Sequence, residues 1–353
     1  GDIMADDTSV GDVDPAEDNE EPTTDLETDD IPEIIEVEPI DINTLYQDYQ
    51  VNEVGNIMVV MYHGIEDNPP YHRTKENFLK DLTYMYEHNY RLISMTDYLH
   101  MSFDVPLGYT PIVITFDDGL KSTFSLINDG NQLVPDPNSA VGIIEAFILE
   151  HPDFGKGGCF FINDNYNNTF FGEGTLKERF TWLIDHGYDI GNHSASHSNF
   201  STLGATGLQK EIGQVDQLLD ELLPGYDMIA LSYPYGARPE TTLRPLVLKG
   251  TYENIDYEYL GAFGVGPTSN PNPPSYITFS PELLPRIRGS EGEVGDLWFY
   301  FDYYENHPEK RYISDGDAST IVIPDTSVDK ISDAFKEAFE VITYLEPVVG
   351  SAQ

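Results

Sequence analysis

Two short stretches of this chain carry residue types that could do chemistry together. Asp117 and Asp118 end an apolar run and are followed by Gly119. Adjacent carboxylates repel, and ionising both is costly unless a cation or a shared proton relieves them. His193 and His197 stand four residues apart in His-Ser-Ala-Ser-His. On a helical turn that spacing puts both rings on one face, able to grip a single metal ion. No Glu lies between them, so the pattern is not the His-Glu-x-x-His of zinc proteases, and a base must come from elsewhere. Two imidazoles and a carboxylate make the open three-ligand set that zinc and its first-row neighbours use for hydrolysis. Taken singly, Asp-Asp-Gly is an ordinary turn and the histidines are surface or capping groups. Taken together, they point to a hydrolytic cation site.

Strands must deliver these groups, and the apolar pattern supplies them. Residues 111–116 are rich in β-branched side chains and read as a strand buried on both faces, as in a parallel sheet. Its carboxylates then stand at the C-terminal rim, where an α/β barrel keeps its chemistry. Residues 57–63 predict a first core strand that ends in His63. Further strands are expected at 159–162, 188–193 and 228–233, the last running into Pro234-Tyr235-Gly236. Residues 284–287 suggest an edge strand, and 320–323 another. Helical spacing recurs around 78–86, 139–149, 176–186 and 208–222, with a closing helix expected over 328–345. Strand and helix alternate, so the fold class is α/β with a mostly parallel sheet, in barrel form.

Composition narrows the partners. Asp and Glu number 62 against 18 Lys and Arg, for a formal net charge of -44 over 353 residues. Such a surface repels nucleic acid and anionic membranes and favours divalent cations nearby. The single cysteine, Cys159, excludes an intrachain disulfide framework and reads as a small buried packing residue. No apolar run is long enough for a transmembrane segment. Residues 1–50 are acidic and proline-dotted, with no Lys or Arg before Arg73. They read as a flexible linker or tether ahead of a catalytic domain at 51–353.

Thr115-Phe116-Asp117-Asp118-Gly119, His193 to His197 and Ser232-Tyr233-Pro234-Tyr235-Gly236 occur in the order of three NodB-homology motifs. The chain therefore resembles the polysaccharide deacetylases of carbohydrate esterase family four, from about residue 56 to residue 322, with insertions at 128–157 and 252–284. The resemblance implies a distorted, incomplete (β/α) barrel of the glycoside hydrolase/deacetylase type and metal-dependent removal of acetyl groups from carbohydrate. It implies that Asp118, His193 and His197 hold the metal, Zn2+ by default with Co2+, Ni2+ or Mn2+ as alternatives. Asp117 would be the general base, and the backbone N–H of Tyr235 would face the developing oxyanion. The family acts outside the cytoplasm, which suggests a secreted or cell-surface bacterial protein with a lipid or cell-wall anchor at its N-terminus.

Two departures stand out. Ser232 occupies the position where many members carry an arginine that pairs with the catalytic aspartate, and Arg286 is the candidate replacement from a later strand. The late Leu-x-His motif that supplies the general acid is missing. His63, whose strand end resembles that of the poly-N-acetylglucosamine deacetylases, is the candidate acid. The other histidines, His72 among them, are read as structural. The expected substrate is an N-acetylated envelope or extracellular polysaccharide: peptidoglycan, a chitin-like polymer or poly-N-acetylglucosamine. The alternatives are an O-acetyl esterase of xylan-type glycans and a non-catalytic glycan-binding relic.

Overall fold

The structure, a computed structural model, describes residues 41–67, 71–165 and 168–346. Seven strands form its centre: β1 (Val59–Tyr62), β2 (Thr110–Phe116), β3 (Cys159–Ile162), β4 (Asp189–Asn192), β5 (Ala230–Ser232), β6 (Gly261–Phe263) and β7 (Ile287–Arg288). They lie side by side in the order β6-β5-β4-β3-β2-β1-β7, every pair parallel. One parallel bridge, Phe263 to Leu284, joins β6 to the segment that leads into β7. The sheet thus curls until its edges meet at a single point, an incomplete and distorted (β/α) barrel.

Strand alternation decides what fills it. Val59 of β1, Val113 of β2, Cys159 and Phe161 of β3, Ala230 of β5 and Phe263 of β6 pack in one buried cluster. Val60, Ile112, Ile114, Phe116, Phe160, Ile162, Ile190, Leu231 and Ile287 belong to another, with the helices. The first set lines the barrel and the second faces outward. Continuing the count past each strand end, His63, Asp117, His193 and Ser232 all fall on the inward parity. The barrel is narrow there, since a Cβ on Gly191 would come within 2.5 Å of the Phe161 ring.

The surrounding helices include α1 (Ile42–Tyr49), α2 (Lys75–Glu87), α3 (Ala140–Glu150), α4 (Leu176–Asp185), α5 (Ala205–Leu222) and α6 (Leu297–Asn306). Their starts are set locally: Thr74 and Ser139 cap α2 and α3, and Thr175 with Glu178 forms a full capping box on α4. Among the described residues no helix is long and apolar enough to cross a membrane.

Three expectations need correction. The segment 252–284, expected as an insertion, contains the core strand β6; its Gly-Ala-Phe is too short to show a period. The helix expected over 328–345 is a short helix, Asp333–Ala338, followed by the strand Glu340–Tyr344, which pairs in parallel with Thr320–Pro324. The β-branched Val341, Ile342 and Thr343 explain that strand. Finally, residues 1–40 of the acidic segment, including the proposed anchor, lie outside the described residues, but its end is the helix α1. There Tyr46 packs against Tyr344, and Gln47 donates to the Leu345 carbonyl at 2.7 Å.

Below the histidine loop, Asn192 ties β4 to α5. Its amide donates to the Ile212 carbonyl at 3.0 Å and to Asp216 Oδ2 at 3.2 Å, and its Oδ1 accepts from Ser194 N at 2.8 Å. Burial pushes the Asp216 carboxyl up to about 7, although the Tyr259 hydroxyl and Asn192 donate to it. A raised acid keeps its proton in the folded state while the unfolded chain has lost its own. Stability from this group is therefore full below the unfolded value near 4 and falls as pH rises towards 7. Asp216→Asn keeps an acceptor oxygen and removes the titration. In denaturant melts, wild type is expected to lose about 2–4 kcal/mol relative to that variant between pH 4 and pH 8. Parallel pH profiles for the two proteins would contradict the assignment.

Candidate metal centre and active site

The C-terminal ends of β1, β2, β4 and β5 converge on an open cavity of about 670 Å³, lined by His63, Asp117, Asp118, His193, His197 and Tyr235 among others. Asp117, on the inward parity, is 1% exposed and faces Arg286, which is 0% exposed. The pair is bidentate: Arg286 Nη1 donates to Asp117 Oδ1 at 2.7 Å and Nη2 to Oδ2 at 2.8 Å. Arg286 Nε donates to the Gly264 carbonyl at 2.8 Å, and its guanidinium lies 5.3 Å from the Phe161 ring centre. Burial alone would raise the Asp117 carboxyl, but the Arg286 charge, helped by His193, outweighs it and holds Asp117 well below the usual carboxylate range.

Asp118 breaks the alternation. Its φ of 73° turns the chain out of the strand, and Gly119 continues at φ 58°. The Asp118 side chain thus reaches the cavity mouth, 3.4 Å from His193 Nε2 and 3.5 Å from His197 Nε2. Burial raises its carboxyl too, and the neighbouring His193 imidazole more than offsets that, leaving it lowered.

His193 and His197 do not share a helical turn, contrary to the expectation from their spacing. His193 leaves β4 pointing inward, and the loop after it bends through left-handed backbone at Ser194, φ 62°, and His197, φ 53°. Such angles are uncommon for residues other than glycine and gather at functional sites. Tyr235, φ 59°, is a further case; its ring lies edge-on to His197 at 4.5 Å. On His193, Nδ1 faces Ser232 Oγ at 2.5 Å and the Ser232 carbonyl at 3.0 Å, so Nε2 is the nitrogen turned to Asp118. Ser232, at a departure from the family motif, thereby fixes a ring orientation that sequence reasoning did not assign to it.

The donor set fits a divalent cation. One atom from each of Asp118, His193 and His197 lies within 4.8 Å of the other two. Two of the separations, 3.4 and 3.5 Å, are long for hydrogen bonds. They match the edge of a tetrahedron with bonds of about 2.1 Å, which is roughly 3.4 Å. The hydrogen-bonded Nδ1 of His193 is the outer partner that metal-ligating imidazoles require.

His72, read as structural, also lines this cavity, with Nδ1 2.9 Å from Glu66 Oε1. Its ring lies against Gly64, where a Cβ would come within 2.6 Å. His307 instead follows α6, with Nδ1 3.7 Å from Glu309. The aromatic run at 298–301 lies on α6, where Trp298 Nε1 donates to the buried Asp81 at 2.7 Å.

Residues 154–252 match the model of the family described as polysaccharide deacetylase. A chitin deacetylase of Arthroderma benhamiae is 25% identical over 118 residues, covering 31% of this chain; the chain spans 31% of the length of that curated relative. Among solved structures, a Streptococcus pyogenes deacetylase in complex with acetate is 16% identical, with a TM-score of 0.48, over 67% of this chain and 92% of that one. A polysaccharide deacetylase from Bacillus cereus is 17% identical, with a TM-score of 0.49, over 70% and 69%. The segment matched by the polysaccharide deacetylase model runs from before β3 through His193, His197 and Tyr235.

Proposed function

We propose that the chain is a metal-dependent hydrolase that removes acetyl groups from an N-acetylated envelope or extracellular polysaccharide: peptidoglycan, a chitin-like polymer or poly-N-acetylglucosamine. One observation carries this reading. Asp118, His193 and His197 converge within 4.8 Å at the mouth of an open cavity, directly beside the buried Asp117–Arg286 pair. An extracellular polymer as substrate would put the enzyme outside the cytoplasm.

Asp118, His193 and His197 would hold the cation, with Zn2+ the default for this donor set and Co2+, Ni2+ or Mn2+ able to replace it. Asp117 is the base that takes the proton of the attacking water. Arg286 keeps it ionised and oriented, but the same charge weakens its basicity, so the water must itself be acidic. A bound cation supplies that acidity, lowering the pKa of water from ~15.7 towards ~7, and polarises the acetyl carbonyl. The Tyr235 N–H is the donor for charge developing on the carbonyl oxygen, and the left-handed turn at Tyr235 sets its direction. His63 follows β1 on the inward parity, lines the same cavity and gives a proton to the departing amine.

The missing late histidine favours a second reading, O-acetyl ester hydrolysis on a xylan-type glycan, because an alkoxide needs less help from an acid than an amine does. Acetate release from chitooligosaccharide and from acetylxylan separates the two. The amide substrate is expected to be preferred, chelation to abolish turnover, and Zn2+ to restore it; a preference for acetylxylan would overturn the N-acetyl assignment. His63→Ala is expected to slow amide cleavage by ~10²-fold or more and any ester cleavage far less. Equal losses on both would remove His63 as the acid.

The ion pair gives a sharper test. Asp117→Asn is expected to lower acetate release by ~10²–10⁴-fold. It also leaves Arg286 buried without its counter-ion, at a stability cost of about 3–5 kcal/mol. Adding Arg286→Met removes the orphaned charge and should recover most of the stability but none of the activity. Denaturant melts and acetate assays on the single and double variants check both halves. Activity recovered in the double variant would contradict Asp117 as the base.

A further inference from the structure

The two imidazoles of the centre are supported unequally. His193 is 2% exposed and has Ser232 on its Nδ1. The His197 side chain is 32% exposed, and among the described residues no side-chain hydrogen bond is made to its ring. Its placement rests on the backbone of residues 194–198, which turns through left-handed angles at Ser194 and His197. Something outside the loop must hold that backbone against its own preference, since each such residue costs about 1–3 kcal/mol.

Glu211, on α5, makes the contacts that do this. Its Oε2 accepts from Ser196 N at 2.9 Å and from Ser194 Oγ at 3.2 Å, and its Oε1 accepts from Ser196 Oγ at 2.6 Å. Its own carbonyl accepts from Ala195 N at 2.8 Å. Within the loop, Ser194 Oγ accepts from Ser198 N at 2.9 Å, closing the turn around His197. One glutamate thus engages each of the three residues between the histidines, by side chain or main chain. Its carboxylate is occupied by serine and backbone donors and is not one of the converging metal donors. Asn163 braces the loop from the other side, donating to the His193 and Ser194 carbonyls at 2.6 and 2.8 Å.

We infer that Glu211 is a positioning residue for the metal centre: it presents His197 to the cation by clamping the Ser194–Ser196 backbone to α5. This rests on the metal-centre reading above. Outer partners of metal ligands are typically worth 10–100-fold in metal affinity. Glu211→Ala should therefore weaken Zn2+ binding by roughly 10–100-fold in a chelator competition. Glu211→Gln keeps one acceptor oxygen and should weaken it less. At saturating Zn2+ both variants should regain most of the wild-type kcat with KM for chitooligosaccharide unchanged, because Glu211 does not line the substrate cavity.

The test uses the full chain, stripped of metal and titrated with Zn2+, and in parallel with Co2+, whose visible absorption reports ligand geometry. The expected result is a weaker Kd and an altered Co2+ spectrum in Glu211→Ala, partial rescue in Glu211→Gln, and unchanged circular dichroism of the metal-free proteins. A Glu211→Gln protein that folds and binds Zn2+ and Co2+ as wild type does, while Glu211→Ala merely unfolds, would reduce Glu211 to a structural role and overturn the inference. Wild-type protein that binds neither ion would instead overturn the metal-centre reading itself, so the two failures are distinguishable.

Discussion

Asp117 and Arg286 lie 169 residues apart and are both withdrawn from solvent, joined by two parallel hydrogen bonds inside the barrel. Neither charge could stay there alone: an unpaired ion in that interior costs several kcal/mol. The pair therefore fixes more than its own geometry. It ties the end of β2 to the segment before β7, and Arg286 Nε reaches the Gly264 carbonyl just past β6. The open edge of the sheet, joined elsewhere by one bridge at Phe263 and Leu284, is thus drawn closed by the same guanidinium that keeps the proposed base ionised.

Division of labour between the neighbouring aspartates follows from the same arrangement. Asp117 continues the inward face of β2 after Val113 and Thr115, so it is buried with the arginine. Asp118 leaves the strand through left-handed backbone and reaches the cavity mouth beside two imidazoles. Two carboxylates one residue apart thus meet different surroundings. One faces a fixed positive charge, and the other faces a donor set suited to a cation. Their repulsion, costly in isolation, is relieved separately on each side.

Much of this was legible in the sequence where a period or a sharp boundary existed. The continuous apolar run at 57–62 and the β-branched run at 111–116 announce β1 and β2, and their ends deliver His63 and Asp117. Arg286 could be named only as a candidate, because its partner is supplied by barrel closure and not by anything nearby in sequence. The His193–His197 spacing suggested a helical turn, whereas the loop bends through two left-handed residues held by Glu211, a polar residue on a regular helix that nothing local distinguishes. β6 escaped notice since three residues carry no period, and Glu340–Tyr344 was absorbed into a helical reading although its Val341-Ile342-Thr343 favours a strand. His72 reads as structural from sequence, because its place beside Glu66 in the cavity depends on the bridge between Ile65 and Arg73, which no local pattern announces.

The central claim is that Asp118, His193 and His197 share one cation. It is tested most directly by anomalous diffraction at the zinc edge from crystals of the protein grown with one equivalent of Zn2+. The account predicts a single strong peak bonded to those three side chains, with Asp117 left on Arg286. A peak held by other residues, or full zinc content with no peak between the two histidines, would contradict it.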